Sequence, residues 1–198
     1  MNQHHKHILQ MIKENNGFIT SSQITDAGIP RRCLSEMVAE KILYKVDRGI
    51  YALPDVWEDE LFFLQYRYTK GIFSHETALY LLSMTDRTPI SYTMTFPKGY
   101  HATGIKKQNL KAKYIISKNY ELGIIQLPSP SGNIIQVYDI ERTLCDIVKT
   151  KHAGDIQVIN QAFKMYAAFK TKDIAKLISF AEQLEVKKKI LTYLEVLL

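Results

Sequence analysis

Arg31 and Arg32 stand side by side, Ser35 follows one helical turn later, and Lys41, Lys45 and Arg48 come within the next stretch. A guanidinium is a planar fork of donors that matches phosphate oxygens or the O6/N7 edge of guanine, and a lysine is a mobile point charge. Such a set suits an anionic polymer, provided the fold presents all of its members together. A second basic run lies further along. Between Asp86 and Glu121 there is no acidic residue, and Lys98, Lys106, Lys107, Lys111 and Lys113 fall there with Tyr100, His101, Tyr114 and Tyr120. That run is a candidate anion or partner patch, or else a solvated lysine-rich surface.

The elements that must carry the first set are legible. Ile8, Leu9, Met11 and Ile12 have helical spacing, and Asn15-Asn16-Gly17 stops that helix. "FIT" is a short extended link, and Thr20 or Ser21 can cap a second helix, SSQITDAG, that ends at Gly28. Pro30 suits the first turn of a third helix. Leu34, Met37 and Val38 make its apolar stripe, while Arg31, Arg32 and Ser35 fall on the opposite side. After Lys41 the period changes to that of strands, with "ILYKV" and "GIYAL" flanking Asp47-Arg48-Gly49. Three helices and a hairpin in this order predict a winged helix-turn-helix over residues 1–54. Its third helix would enter the major groove of double-stranded DNA with Arg31, Arg32 and Ser35, and Lys41, Lys45 and Arg48 would hold the flanking backbone. The bland alternative is a solvated surface in which the arginines pair with Glu36.

Residues 55–198 predict a larger mixed α/β domain with a helical tail, so the fold class is α+β. "DELFFLQYRYTKG" and "SHETALYLLSMT" read as helices, the second capped by Ser74, with Ser74 and Thr77 as helix-start residues. "PISYTMTFPKG", "AKYIISKNY", "GIIQLPS" and "NIIQVYD" read as strands, and "DIERTLCDIVKT" begins a helix at Asp139. Asp139 as N-cap, with Arg142 and Asp146 as an i,i+4 pair, accounts for those charges without catalysis.

The bulk numbers fit this picture. The chain has 198 residues, 46% of them apolar, and a net charge of +6. No apolar run reaches the roughly 18 residues a membrane span needs, and no signal peptide is visible, so a cytoplasmic location is expected. Cys33 and Cys145 are far apart and sit in helix-like patterns, as reduced core thiols would. His4, His5 and His7 lack a Cys or acidic partner at ligand spacing, so no metal, no cofactor and no catalytic residue is expected.

Three stretches carry a resemblance: "GFITSSQITDAGIPRRCLSEMVAEKILYKVDRGIYAL", "GIFSHETALYLLSMTDRTPISYTMTFPKGYH" and "VYDIERTLCDIV". Together they resemble the AbiEi antitoxins of bacterial abortive-infection, type IV toxin–antitoxin systems. The resemblance implies a non-enzymatic protein with two jobs. It would repress its own operon from a promoter inverted repeat, with two copies on the DNA. It would also counteract a nucleotidyltransferase-like toxin without forming a stable complex. Alternative readings are a stand-alone winged-helix regulator whose second domain senses a ligand or dimerises, and a nuclease with a DNA-binding head.

Overall fold

A computed structural model describes residues 2–56, 58–149 and 156–197, without the side chains of 106, 107, 196 and 197. Chain contacts divide it into two compact units, one running up to Arg67 with Pro128–Ile135 added, the other comprising Tyr68–Leu127 and the chain from Gln136 onward.

In the first unit, α1 (Gln3–Glu14) is capped by Asn2 and buries Ile8 and Ile12. β1 (Phe18–Thr20) leads into α2 (Ser21–Asp26), where Thr20 and Gln23 form a reciprocal capping box. α3 (Arg32–Ala39) follows, with Cys33, Leu34 and Met37 inward. Pro30 precedes this helix, and its carbonyl accepts from the Cys33 N–H. β2 (Tyr44–Asp47) and β3 (Ile50–Ala52) form the hairpin. "FIT" is more than a link: it pairs antiparallel with β3, giving a three-stranded sheet in the order β1-β3-β2. A strand this short gains nothing from propensity. It is held by Phe18 and Ile19, both buried.

α4 (Glu60–Arg67) also belongs to this unit and stops before the "YTKG" that its sequence pattern suggested. Phe62, Phe63 and Tyr66 pack on Phe18, Ile50 and Ala52, and Phe63 meets Phe18 edge to face with ring centroids 5.4 Å apart. Asp59 starts the helix, its Oδ1 accepting from the Phe62 N–H. Its other oxygen accepts from the Ser129 hydroxyl and from Asn133 Nδ2. One buried carboxylate thereby fixes both the helix and the loop at 129–133.

The second unit opens with β4 (Ile72–Phe73) and α5 (His75–Leu81). β5 (Tyr92–Pro97), β6 (Leu110–Ile115), α6 (Ser117–Tyr120), β7 (Ile124–Pro128) and β8 (Ile134–Tyr138) follow. The strands form a mixed sheet in the order β6-β5-β4-β8-β7. β5 is antiparallel to β4, whereas β6 runs parallel to β5 and β8 parallel to β4. α7 (Ile140–Lys149) is buried from Glu141 through Val148. α8 (Ile156–Ala168), α9 (Ile174–Gln183) and α10 (Lys187–Leu197) supply the helical tail. Leu144, Phe163, Leu177 and Ile190 lie at the heart of the apolar core that these helices share. No described helix is long and apolar enough to cross a membrane.

Two side chains differ from their expected roles. Ser74 occupies the N-cap position of α5 but makes no cap bond. Its hydroxyl instead accepts from Thr95 and meets His75 Nδ1. Thr77 Oγ1 accepts from the Thr93 N–H, tying α5 to β5 rather than completing its own turn.

Candidate nucleic-acid interface

Arg31 is the N-cap residue of α3, and Arg32 is its first helical residue. Both are exposed, as is Ser35 one turn later. This follows from the helical period: Cys33, Leu34 and Met37 take the core side, which leaves 31, 32 and 35 on the outer face. Arg31 is not left to wander, because its Nε donates to Thr25 Oγ1 of α2 at 2.7 Å. Arg32 has no hydrogen-bond or ion-pair partner among the described residues. The arginine–Glu36 pairing of the bland alternative is not formed among them either. Glu36 instead lies 3.2 Å from His5 Nε2 of α1.

The hairpin presents the rest. Lys41, Lys45 and Arg48 are exposed. Lys41 takes a left-handed backbone, φ 56°, where the chain leaves α3. Gly49 forms the tip with φ 79°, and a Cβ there would lie 3.1 Å from the Tyr66 hydroxyl, so this turn requires glycine. The wing also carries an acid, Asp47, which would oppose a polyanion. Arg67 of α4 donates to both of its oxygens, and Asp47 also accepts from the Arg48 N–H. Sequence reasoning missed this neutralisation, because the two residues lie twenty positions apart. It also missed Tyr44, an aromatic ring 52% exposed on β2 beside Lys45.

His5, Cys33 and Glu36 come together with their potential ligand atoms within 4.8 Å of one another, a proximity invisible in the sequence spacing. The hydrogen bond between His5 and Glu36 accounts for two of the three, and Cys33 is a buried free thiol.

The lysine-rich run divides. Lys111 and Lys113 alternate along β6, an edge strand, and both are exposed. Lysine on an edge discourages pairing with another strand, so their placement has a structural rationale. Lys98 is exposed at the end of β5, while Lys106 and Lys107 have side chains outside the described residues. The interleaved aromatics are partly spoken for. Tyr100 stacks on Phe96 at 5.2 Å, and the Tyr120 hydroxyl donates to the Lys70 carbonyl.

Asp139, Glu141 and Asp146, at the start of α7 and along it, serve the fold. Asp139 Oδ1 accepts from the Arg142 N–H and caps α7. Lys176 bridges Asp139 and Glu141 at 2.9 and 3.2 Å, and the Tyr166 hydroxyl also donates to Glu141. Burial pushes the Asp139 carboxyl above its ordinary value, against the pull of its capping bond and of Lys176. Arg142 Nε donates to both oxygens of Asp146 inside the core. Burial likewise pushes the Cys145 thiol up to about 12, so it behaves as an apolar core group.

Residues 8–54 match the family described as "Transcriptional regulator, AbiEi antitoxin". This segment is similar to the N-terminal domain of the AbiEi antitoxins. No curated protein matches the sequence. Among solved structures, the fold is similar to that of the RV2827C protein from Mycobacterium tuberculosis, with a TM-score of 0.59 at 13% identity. That likeness spans 92% of this chain and 72% of the other. It concerns the fold, so both the matched segment and the mixed-sheet unit that follows it in the chain have a precedent as a chain trace. All six predicted cationic or polar contacts, Arg31 to Arg48, fall within the matched segment.

Proposed function

We propose that this protein is a DNA-binding autorepressor and the antitoxin of a type IV toxin–antitoxin system. In this reading residues 1–54 recognise an inverted repeat in the promoter of their own operon, one copy on each half-site. Arg31, Arg32 and Ser35 read base edges in the major groove, and Lys41, Lys45 and Arg48 grip phosphates on either side. Residues 55–198 carry the antitoxin activity against a nucleotidyltransferase-like toxin, without a stable complex. No step in either job requires a catalytic residue of this chain.

The observation that carries the DNA reading is the disposition of charge in the AbiEi segment. Every candidate contact residue is exposed, while Glu36 on the same helix and Asp47 on the wing are engaged by His5 and Arg67. A helix start and a turn thereby offer exposed cations, with the acid of the wing neutralised by Arg67, which suits binding to a polyanion.

The test uses the full chain. The Arg31→Ala, Arg32→Ala double variant is compared with wild type for binding to its own promoter fragment and for protection of cells expressing the adjacent nucleotidyltransferase gene. Loss of promoter binding with protection retained supports the two-job reading. Unaltered promoter binding overturns the assigned groove contacts, and failure of the wild-type chain to protect overturns the antitoxin assignment.

A further inference from the structure

The second unit contains a cavity of about 220 Å³ between the sheet and α7. Three elements build it. β5 and β6 pair Thr95 with Lys113 in register, so their side chains share one face. α7 contributes Arg142, Asp146 and Lys149, spaced i, i+4, i+7 along one helical stripe, and His75 enters from the start of α5. With the histidine neutral, three cations face one carboxylate, a surplus of two positive charges in the lining (3 − 1 = +2).

Arg142 is the decisive member. Its side chain is fully buried, with the guanidinium carbon 4.0 Å from the centroid of the Tyr138 ring. Nε is committed to Asp146, and Nη1 donates to the carbonyls of Asn119 and Leu122 at 2.6 and 2.9 Å. Nη2 is buried and has no partner among the described residues. A buried donor on a charged group left unbonded is costly, and folds seldom leave one in place. The Asp146 carboxylate engages Nε and makes no bond to Nη2. What the site lacks is an acceptor that brings negative charge.

His75 points to the same ligand. Thr95 donates to Ser74, and Ser74 is bonded to His75 Nδ1 at 3.1 Å. That chain fixes the ring through one nitrogen and leaves Nε2 without a partner among the described residues. Burial lowers the pKa of His75, and the nearby Lys113 and Arg142 lower it further against Asp146. The ring is held in a site whose field already favours an anion. The backbone of His75 is itself left-handed, φ 55°.

We propose that this cavity binds a phosphate-sized oxyanion, held by Arg142, Lys113 and Lys149, either free or as the phosphate end of a nucleotide. The volume accommodates a phosphate with part of whatever bears it, and is below the usual size of a cavity enclosing a whole drug-sized ligand. The inference goes beyond the repressor and antitoxin reading and does not depend on it, since every residue involved lies in the second unit.

The test is calorimetric titration and thermal unfolding of the full-length protein with inorganic phosphate and, separately, with a nucleoside 5′-monophosphate, each against chloride at matched ionic strength. The probes are wild type, the Lys113→Gln, Lys149→Gln double variant and Arg142→Lys. Because Lys113 and Lys149 are exposed, their replacement leaves the fold intact even if the Arg142 variant does not fold. Saturable binding that the double lysine variant weakens by about tenfold or more supports the site. Binding of phosphate alone identifies a free-anion site, and tighter binding of the monophosphate identifies a nucleotide-borne phosphate. No saturable binding or stabilisation beyond the chloride control with either probe overturns the proposal, as does binding that the double lysine variant leaves unchanged.

Discussion

Lys45 and the arginine pair are assigned different work, and the difference is measurable. Lys45 is exposed on the wing and bonds to nothing else among the described residues, so Lys45→Ala removes a cation without disturbing packing. If each copy places Lys45 at one phosphate, two copies on an inverted repeat lose two contacts. The slope of log K against log salt then falls by about 1.8, twice the roughly 0.9 per phosphate of duplex DNA. Between about 50 and about 200 mM salt the gap between wild type and variant therefore narrows by about twelvefold. The deficit is the same on promoter DNA and on a scrambled duplex. Arg31→Ala with Arg32→Ala behaves otherwise. Discrimination between the two duplexes falls by about 5- to 150-fold for each base pair read, the equivalent of about 1–3 kcal/mol. Fluorescence anisotropy on both duplexes across a salt series measures all of these quantities. An unchanged slope in the Lys45 variant, or equal losses on both duplexes in the arginine variant, refutes the division of roles.

Four further outcomes are expected. Thr25→Val keeps the shape of an exposed side chain but removes the acceptor of Arg31 Nε, so discrimination weakens while the melting temperature stays put, as paired anisotropy and thermal melts show. Asp59→Ala uncaps α4 and orphans Ser129 and Asn133 together, costing about 2 kcal/mol in a denaturant titration. Arg142→Ala leaves Asp146 buried without its cation and costs about 3–5 kcal/mol by the same measurement, whereas a loss below about 1 kcal/mol contradicts the pairing described. His75 is depressed below its usual 6.5 by burial. The unfolded chain thus takes up this proton first, and stability present above pH 6.5 declines as pH falls through it. Proton NMR titration of the imidazole checks the direction, and His75→Asn flattens that part of the pH–stability curve.

The helix periods and the turn chemistry were legible because they are local. Cys33, Leu34 and Met37 face inward as their spacing requires, and Gly49 sits where the turn demands positive φ. The caps at Thr20 and Asp139 were readable for the same reason. The errors share a different cause. Ser74 and Thr77 look like local capping residues, yet strand residues Thr95 and Thr93 lay claim to their hydroxyls. "FIT" became a strand only because the returning β3 lies beside it. The site was half legible in the same sense. Solvent-facing arginines follow from helix period, but the withdrawal of Glu36 by His5 and of Asp47 by Arg67 depends on chain segments about twenty to thirty residues away. In the second unit, the run of lysines gave no sign that Lys113 shares a cavity with Arg142 and Lys149, since only the placing of α7 beside β6 in the fold brings them together.

The Arg67–Asp47 bridge makes α4 a counterweight to the wing's electrostatics. While that helix is intact, the tip of the hairpin shows a polyanion only Lys45 and Arg48. If α4 frays at its last turn, a bare carboxylate appears beside Arg48, and the same hairpin begins to repel what it had attracted. In the proposed DNA-binding reading, grip on a nucleic acid is thereby tied to the integrity of a helix outside the matched segment. Anything that melts or tethers the end of α4 would act as a dimmer on the wing without ever touching it.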